Sequence, residues 1–193
     1  LATLAFIVPM CFTPGPNNVL CAAHGSRYGF QKTLPLIAGM GLGWSIIGLG
    51  LAAGAEFLKE NEFVFTILSY IGAIYIAYLG YIVASSETID KNSNTEEHFG
   101  FFTGIMLQFV NGKAWIHFVV LMTTFGTLFG TEYYAKATLV ILNLLFGLMA
   151  VLTWAAFGTV LRKTFSGRES GLMINRVMGG LLILVAIWIA LPH

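Results

Sequence analysis

The sequence has few charged residues. Aspartate, glutamate, lysine and arginine make up 10% of the 193 residues, against about 25% in an ordinary soluble domain. Hydrophobic residues make up 57%, and the mean hydropathy is +0.81. The net charge of +1 provides no bulk basic surface for nucleic acid. These shortages exclude a soluble catalytic domain and a nucleic-acid-binding protein, and they indicate a chain that lies mostly in a membrane.

Acidic residues are absent from the interior of the long apolar segments. All nine lie in polar links or at segment ends: Glu56, Glu60, Glu62, Glu87, Asp90, Glu96, Glu97, Glu132 and Glu169. A hard-cation site needs oxygen ligands, usually carboxylates, and a carboxylate proton relay needs such a group inside the membrane. Both are therefore excluded, and we expect no metal and no cofactor.

Cysteine and histidine are also scarce. Cys11 and Cys21 lie in one apolar segment without metal-ligand spacing, and we interpret them as buried free thiols. The four histidines are scattered, and only His117 lies deep in an apolar segment. We therefore expect no catalytic residues and no metal-ligand cluster.

The abundant feature is long apolar sequence. A bilayer core about 30 Å thick needs about 20 apolar residues for each helical crossing. Six stretches qualify, numbered here as spans 1 to 6: Leu1–Ala23, Leu34–Phe57, Phe63–Ala84, Phe101–Phe125, Ala135–Leu161 and Met173–Leu191. The sequence thus predicts an all-α integral membrane protein with six transmembrane helices, forming a single domain over residues 1–193.

Basic residues are distributed unevenly among the links. The first, third and fifth links hold seven: Arg27, Lys32, Lys91, Arg162, Lys163, Arg168 and Arg176. The second and fourth links hold only Lys59 and Lys136. Because positive charge is retained on the cytoplasmic side, we predict that the odd-numbered links are cytoplasmic.

The two halves of the chain resemble each other. Gly39 in span 2 corresponds to Gly147 in span 5, and Gly15-Pro16-Asn17 in span 1 corresponds to Asn111-Gly112-Lys113 in span 4. Because three helices per repeat invert the second copy, we predict two inverted repeats, at about 1–84 and 99–193, joined by a connector over 85–98. Inverted repeats with interrupted helices at matching places are typical of transporters.

Thr13-Pro14-Gly15-Pro16-Asn17-Asn18 falls in the middle of span 1. Each proline removes a backbone donor and clashes with the preceding turn, so we predict that Pro14 and Pro16 break the helix. Pro16 suits the first position of a new half-helix, with Asn17 and Asn18 in its first turn. Such an N-terminus carries partial positive charge and suits a carboxylate.

Gln108, Asn111 and Lys113 lie near the centre of span 4, and His117 follows Lys113 by one turn. An ammonium at mid-bilayer costs at least about 2.5–3.5 kcal/mol, so Lys113 is expected to face a cavity or a partner. Gly112 is the predicted helix break of this span. A site of lysine, asparagine and glutamine suits a neutral zwitterion or an anion.

On these residues the chain resembles the LysE/RhtB family of amino-acid exporters, named for lysine export and homoserine/threonine resistance. The most specific block is the one from Thr13 to Asn18, and others run from Gly72 to Gly80 and from Leu107 to Lys113. The family usually has Asn-Pro-Lys in span 4, whereas this chain has Gly112 in place of the proline. The motif from Leu107 to Asn111, followed by a residue other than proline, looks most like the cysteine/O-acetylserine exporter branch.

The resemblance implies a multi-pass amino-acid exporter in the bacterial cytoplasmic membrane, driven by proton antiport. Family members that export basic amino acids often carry an aspartate in span 2, in the neighbourhood where this chain has Trp44. The implied cargo is therefore a small neutral amino acid or derivative, such as cysteine, O-acetylserine, homoserine or threonine. The expected partners are then this small molecule and membrane lipids, with a homodimer as a further possibility.

We expect the substrate carboxylate to bind near mid-membrane, between the half-helix Gly15-Pro16-Asn17-Asn18 and the Lys113 ammonium, with Gln108 and Asn111 beside them. Backbone carbonyls freed by Pro14 and Pro16 would receive the amino group. His117 is the candidate for the coupling proton, because imidazole titrates near physiological pH. An intramembrane lipid-modifying enzyme and a metal or ion exporter of the same superfamily remain as alternatives.

Overall fold

The structure, a computed structural model, describes residues 2–59, 62–85, 99–126, 128, 130, 132–165 and 167–190. Regular secondary structure in these ranges is entirely α-helical. The helices are α1 (Ala2–Phe12), α2 (Pro16–Tyr28), α3 (Phe30–Lys59), α4 (Glu62–Ser85), α5 (Phe101–Val110), α6 (Gly112–Phe125), α7 (Tyr133–Thr164) and α8 (Arg168–Ala190). Nearly all of the predicted connector over 85–98 lies outside the described residues.

Three helices are long and apolar enough to cross a membrane within the described residues, namely Phe30–Ala53 of α3, α7, and Glu169–Ile187 of α8. Two bent pairs, α1 with α2 and α5 with α6, raise the number to five if each pair forms one span. Within the described side chains, α4 contributes a shorter apolar helix, Tyr70–Ser85. Over the described residues the chain is therefore an all-helical membrane protein with three to five apolar spans by length and composition, and the six spans expected from the sequence stay a prediction.

Polar and apolar side chains are arranged as in a lipid-embedded protein. Large apolar residues point outward on several helices, with Ile74 72% and Ile141 67% exposed. Polar side chains are buried instead, with Asn18 and Asn143 each only 4% exposed. The polar interior provides the hydrogen-bond partners that hydrocarbon cannot supply.

Glycines set the closest helix crossings. A Cβ at Gly39 would overlap the carbonyl of Phe101, so only glycine permits the contact between α3 and α5. A Cβ at Gly158 would overlap the carbonyl of Ala22, between α7 and α2, and one at Gly80 would lie 2.9 Å from the carbonyl oxygen of Gly179, between α4 and α8. Small residues at membrane helix interfaces allow this close backbone approach.

Candidate functional site

Span 1 is broken into two helices. The helix α1 ends at Phe12, α2 begins at Pro16, and their axes differ by 46°. Gly15 is the extended N-cap residue of α2, and no side chain caps the backbone N–H groups of the first turn there. Asn17 and Asn18 lie in that first turn, so the N-terminus of α2 opens with its partial positive charge uncompensated by a cap.

Side chains take up the carbonyls at the end of α1. Asn18 Nδ2 donates to the carbonyl oxygens of Cys11 and Thr13, at 2.8 Å each. Trp154 Nε1 on α7 donates to the carbonyl oxygen of Phe12 at 3.2 Å. Backbone carbonyls freed by Pro14 and Pro16 are expected from the sequence to receive a substrate amino group, but the carbonyls at the end of α1 already accept hydrogen bonds from the protein.

Span 4 is broken in the same way. The helix α5 ends at Val110, α6 begins at Gly112, and the bend is 65°. Asn111 is the N-cap residue of α6, and its side-chain oxygen accepts from the backbone N–H of Lys113 at 3.2 Å. Trp115 Nε1 donates to the carbonyl oxygen of Phe109 at 2.9 Å. The Asn111 cap therefore stabilises the start of α6 at a break that contains no proline.

A cluster of side-chain amides joins the two breaks. Asn17 Nδ2 donates to Gln108 Oε1 at 2.8 Å, and Gln108 Nε2 donates back to Asn17 Oδ1 at 3.1 Å. Asn111 Nδ2 donates to the same Asn17 oxygen at 3.3 Å. Gln108 also donates to the carbonyl oxygen of Gly104 at 3.0 Å and is fully buried. The cluster holds the N-terminus of α2 against the break between α5 and α6.

The ammonium of Lys113 lies between the same two breaks. Its Nζ donates to Thr13 Oγ1 at 2.9 Å and to the Thr13 carbonyl oxygen at 3.2 Å. A Cβ built on Gly15 would lie 3.1 Å from Lys113 Nζ. The first turn of α6 is an unfavourable place for a cation, and the carbonyls ending α1 offset this with partial negative charge.

A cavity of about 50 Å³ lies between the breaks. On this measure one water needs about 10–15 Å³, so several waters or a small ligand fit. The polar lining residues are Asn17, Asn18, Asn111, Lys113, His117 and Asn143. The largely apolar ones are Met10, Cys11, Trp44, Ala114, Phe118 and Gly147. None of the described residues that line the cavity is acidic.

Asn143 on α7 also lines the cavity, although it is not among the site residues predicted from the sequence. Its Oδ1 lies 2.6 Å from His117 Nε2, and the Cys11 thiol donates to it at 3.7 Å. An asparagine in the middle of an apolar span is the same signal that marked Lys113. The described residues contain no group of three or more histidine, cysteine or acidic side chains that could hold a metal ion.

The structure brings together most of the predicted site residues. Those lining the cavity are Gly15, Pro16, Asn17, Asn18, Asn111, Lys113 and His117. Gln108 does not line it, because its amide is turned into the cluster with Asn17 and the Gly104 carbonyl. Pro14 is exposed outside the cavity, and Gly112 contributes only the start of α6.

Two broken membrane helices that meet at a small polar cavity are typical of a transporter. The model of the LysE type translocator family matches residues 8–192. The chain belongs to this family, and it is a transporter rather than an enzyme. The alternative of a lipid-modifying enzyme is therefore wrong.

Named relatives cover nearly the whole chain. A cysteine/O-acetylserine efflux protein of Salmonella choleraesuis is 31% identical over 91% of this chain and 89% of its own length. Efflux proteins of the same name are 30% identical in Klebsiella pneumoniae, over 96% and 94%, and 32% identical in Escherichia coli, over 91% and 89%. No solved structure matches the chain.

Proposed function

We propose that this protein exports small neutral amino acids or their derivatives from the cytoplasm across the bacterial inner membrane. The cavity between the two broken helices is the substrate site of this proposal. The observation that carries it is the convergence of the uncapped N-terminus of α2, the Lys113 ammonium and the N-terminus of α6 on one small space.

The electrostatics of the cavity favour a carboxylate. Helix N-termini and an ammonium attract negative charge, and no acidic side chain of the described lining competes for them. In the proposal the substrate carboxylate displaces Thr13 as the partner of Lys113. Asn17 and Asn111 bind beside it, and Gln108 acts from behind by holding Asn17 in place.

The amino group has a different acceptor from the one expected from the sequence. The carbonyls that end α1 are engaged by Asn18, Trp154 and Lys113. We assign the role to Asn143 Oδ1, which His117 now occupies. His117 would then release Asn143 when the substrate binds, which makes it the candidate for proton coupling.

The size of the cavity and its apolar lining favour a short side chain. Met10, Trp44 and Phe118 contribute bulky apolar side chains to the lining of this cavity of about 50 Å³. The absence of an acidic lining residue disfavours lysine and arginine, because a second cation would be buried without a partner. The named relatives, which are cysteine/O-acetylserine efflux proteins, support the same substrate class.

Six spans in two inverted repeats, over about 1–84 and 99–193, complete the proposal, with α4 as span 3. The pattern of contacts between helices supports the repeats, because exchanging spans 1, 2 and 3 with spans 4, 5 and 6 turns the main contacts into one another. The contact of α2 with α7 exchanges with that of α3 with α5 and α6, and the contact of α2 with α8 exchanges with that of α4 with α5. The pairs α3 with α7 and α4 with α8 exchange with themselves.

Counterflow in proteoliposomes tests the proposed substrate class. Proteoliposomes that contain the purified protein are loaded with unlabelled amino acid. Uptake of radiolabelled cysteine, O-acetylserine, threonine, leucine and lysine is then measured against liposomes without protein. We expect flux of the small neutral compounds, weaker flux of leucine and none of lysine. Preference for lysine or arginine, or the absence of amino-acid flux, would overturn the proposal.

A further inference from the structure

The indole of Trp44 is a buried donor that the protein does not use. Trp44 lies on α3, lines the cavity and is only 8% exposed. Within the described residues its Nε1–H makes no hydrogen bond, and the nitrogen is not completely buried. The nitrogen therefore borders open space. Buried tryptophan N–H groups usually have an acceptor.

Two other tryptophans show what the ordinary role would be. Trp115 Nε1 donates to the carbonyl of Phe109, and Trp154 Nε1 donates to that of Phe12. Each of these indoles satisfies a carbonyl at a helix break. Trp44 caps no carbonyl in this way, although it lines the cavity that lies between the two breaks.

Gly147 on α7 fixes the position of the Trp44 ring. A Cβ at Gly147 would lie 3.1 Å from Trp44 Cζ3 and 3.4 Å from both Cε3 and Cη2. These atoms belong to the benzene edge of the indole, remote from the N–H. The contact seats that edge against α7 and leaves the N–H edge unobstructed by Gly147.

We propose that the Trp44 N–H donates to an oxygen on the substrate side chain, such as a hydroxyl or ester oxygen. Trp44 is then a specificity-determining residue that selects oxygen-bearing side chains over aliphatic ones of equal size. The inference rests on the proposed amino-acid cargo and adds the side-chain chemistry. A site built to donate such a bond discriminates against the analogue that lacks the acceptor.

Threonine and valine are a matched pair for the test, because they differ by a hydroxyl in place of a methyl group. Each is added as an unlabelled competitor of labelled O-acetylserine counterflow. For the unmodified protein we expect threonine to compete roughly 3- to 10-fold better than valine, the size of one hydrogen bond. Trp44→Phe keeps an aromatic ring without the donor, and it should bring this ratio close to one.

Trp154→Phe is the control, because it removes an indole N–H that caps a carbonyl instead of facing cargo. This variant should reduce O-acetylserine counterflow, and the ratio by which threonine competes better than valine should stay unchanged. If Trp44→Phe does not fold, the thermal stabilisation of the unmodified protein by threonine and by valine gives the same comparison. An equal response to the two compounds in the unmodified protein, or an unchanged ratio in Trp44→Phe, overturns the inference while amino-acid flux persists. Loss of all amino-acid flux from the unmodified protein overturns the proposed function itself.

Discussion

Lys113 is placed where a structural role and a binding role meet. Its ammonium donates to Thr13 at the end of α1, and it also lines the cavity beside the N-terminus of α2. The Thr13 carbonyl does not depend on it, because Asn18 donates to the same oxygen at 2.8 Å. Removing the ammonium therefore leaves the Thr13 carbonyl with a hydrogen-bond donor.

We expect Lys113→Met to abolish transport while the protein still inserts and stays monodisperse in detergent. The methionine keeps much of the stem and loses the charge that binds the carboxylate, so counterflow should fall at least tenfold, about the effect of one charge-assisted hydrogen bond. Size-exclusion chromatography and counterflow measure the two outcomes. Thr13→Val is the control, because it removes the hydroxyl partner of Lys113 and leaves the ammonium. Unchanged export by Lys113→Met would place the site elsewhere, and aggregation with loss of transport would assign Lys113 a structural role.

Single residues could be found from the sequence where their burial in a membrane is costly. Lys113, Asn111 and Asn17 were selected because an ammonium or an amide inside an apolar span needs a partner. Trp44 and Cys11 gave no such signal, because both are common in apolar helices for packing alone. Their place on the cavity wall depends on how α1, α3 and α7 pack, which the composition of one helix does not determine.

The helix breaks show why local sequence predicts some interruptions and not others. Pro9 lies inside α1 and Pro35 inside α3, and neither ends its helix. Pro14 and Pro16 flank Gly15, and there the helix ends because two backbone donors are missing within one turn. Gly112 breaks span 4 without a proline, since the Asn111 side chain caps α6. The partners that stabilise each break, such as Trp154, come from distant sequence.

Adjacent glycines in α8 allow a matched test of close helix packing. A Cβ at Gly179 would overlap the carbonyl of Gly80 on α4, whereas a Cβ at Gly180 would meet nothing within 4 Å. We expect Gly179→Ala to lower the thermal unfolding temperature in detergent, with a cost of about 1–3 kcal/mol from overpacking. Gly180→Ala should be neutral or slightly stabilising, because alanine is the better helix former. Equal stability of the two variants would contradict the close contact between α4 and α8.

At the scale of the whole molecule, the basic ends of several helices gather together. Thr159 Oγ1 on α7 donates to the carbonyl oxygen of Gly25 on α2 at 3.0 Å, close to the ends that carry Arg162 and Arg27. A second cavity, of about 20 Å³, is lined by residues from α2, α4 and α8 together with Phe99. The uneven charge of the links predicts that these ends lie on one side of the membrane, but their contact requires helix pairs that charge alone does not specify.

The charge distribution predicts a membrane orientation in which the first, third and fifth links are cytoplasmic, and the contact between the ends of α2 and α7 agrees with placing the first and fifth of these links on one side. Seven basic residues lie in those links and two in the second and fourth, and the positive-inside rule retains the richer set in the cytoplasm. We expect single cysteines at Ser93 and Ser166 to resist a membrane-impermeant maleimide added to intact cells, and a cysteine at Asn61 to react. These positions lie outside the described residues. The parent chain should lack Cys11 and Cys21, because Cys11 lines the cavity and would give a background signal. Permeabilised cells should label at all three positions, which shows that each thiol is reactive. Ready labelling at Ser166 from outside intact cells would contradict this orientation and place the fifth link on the outer side of the membrane.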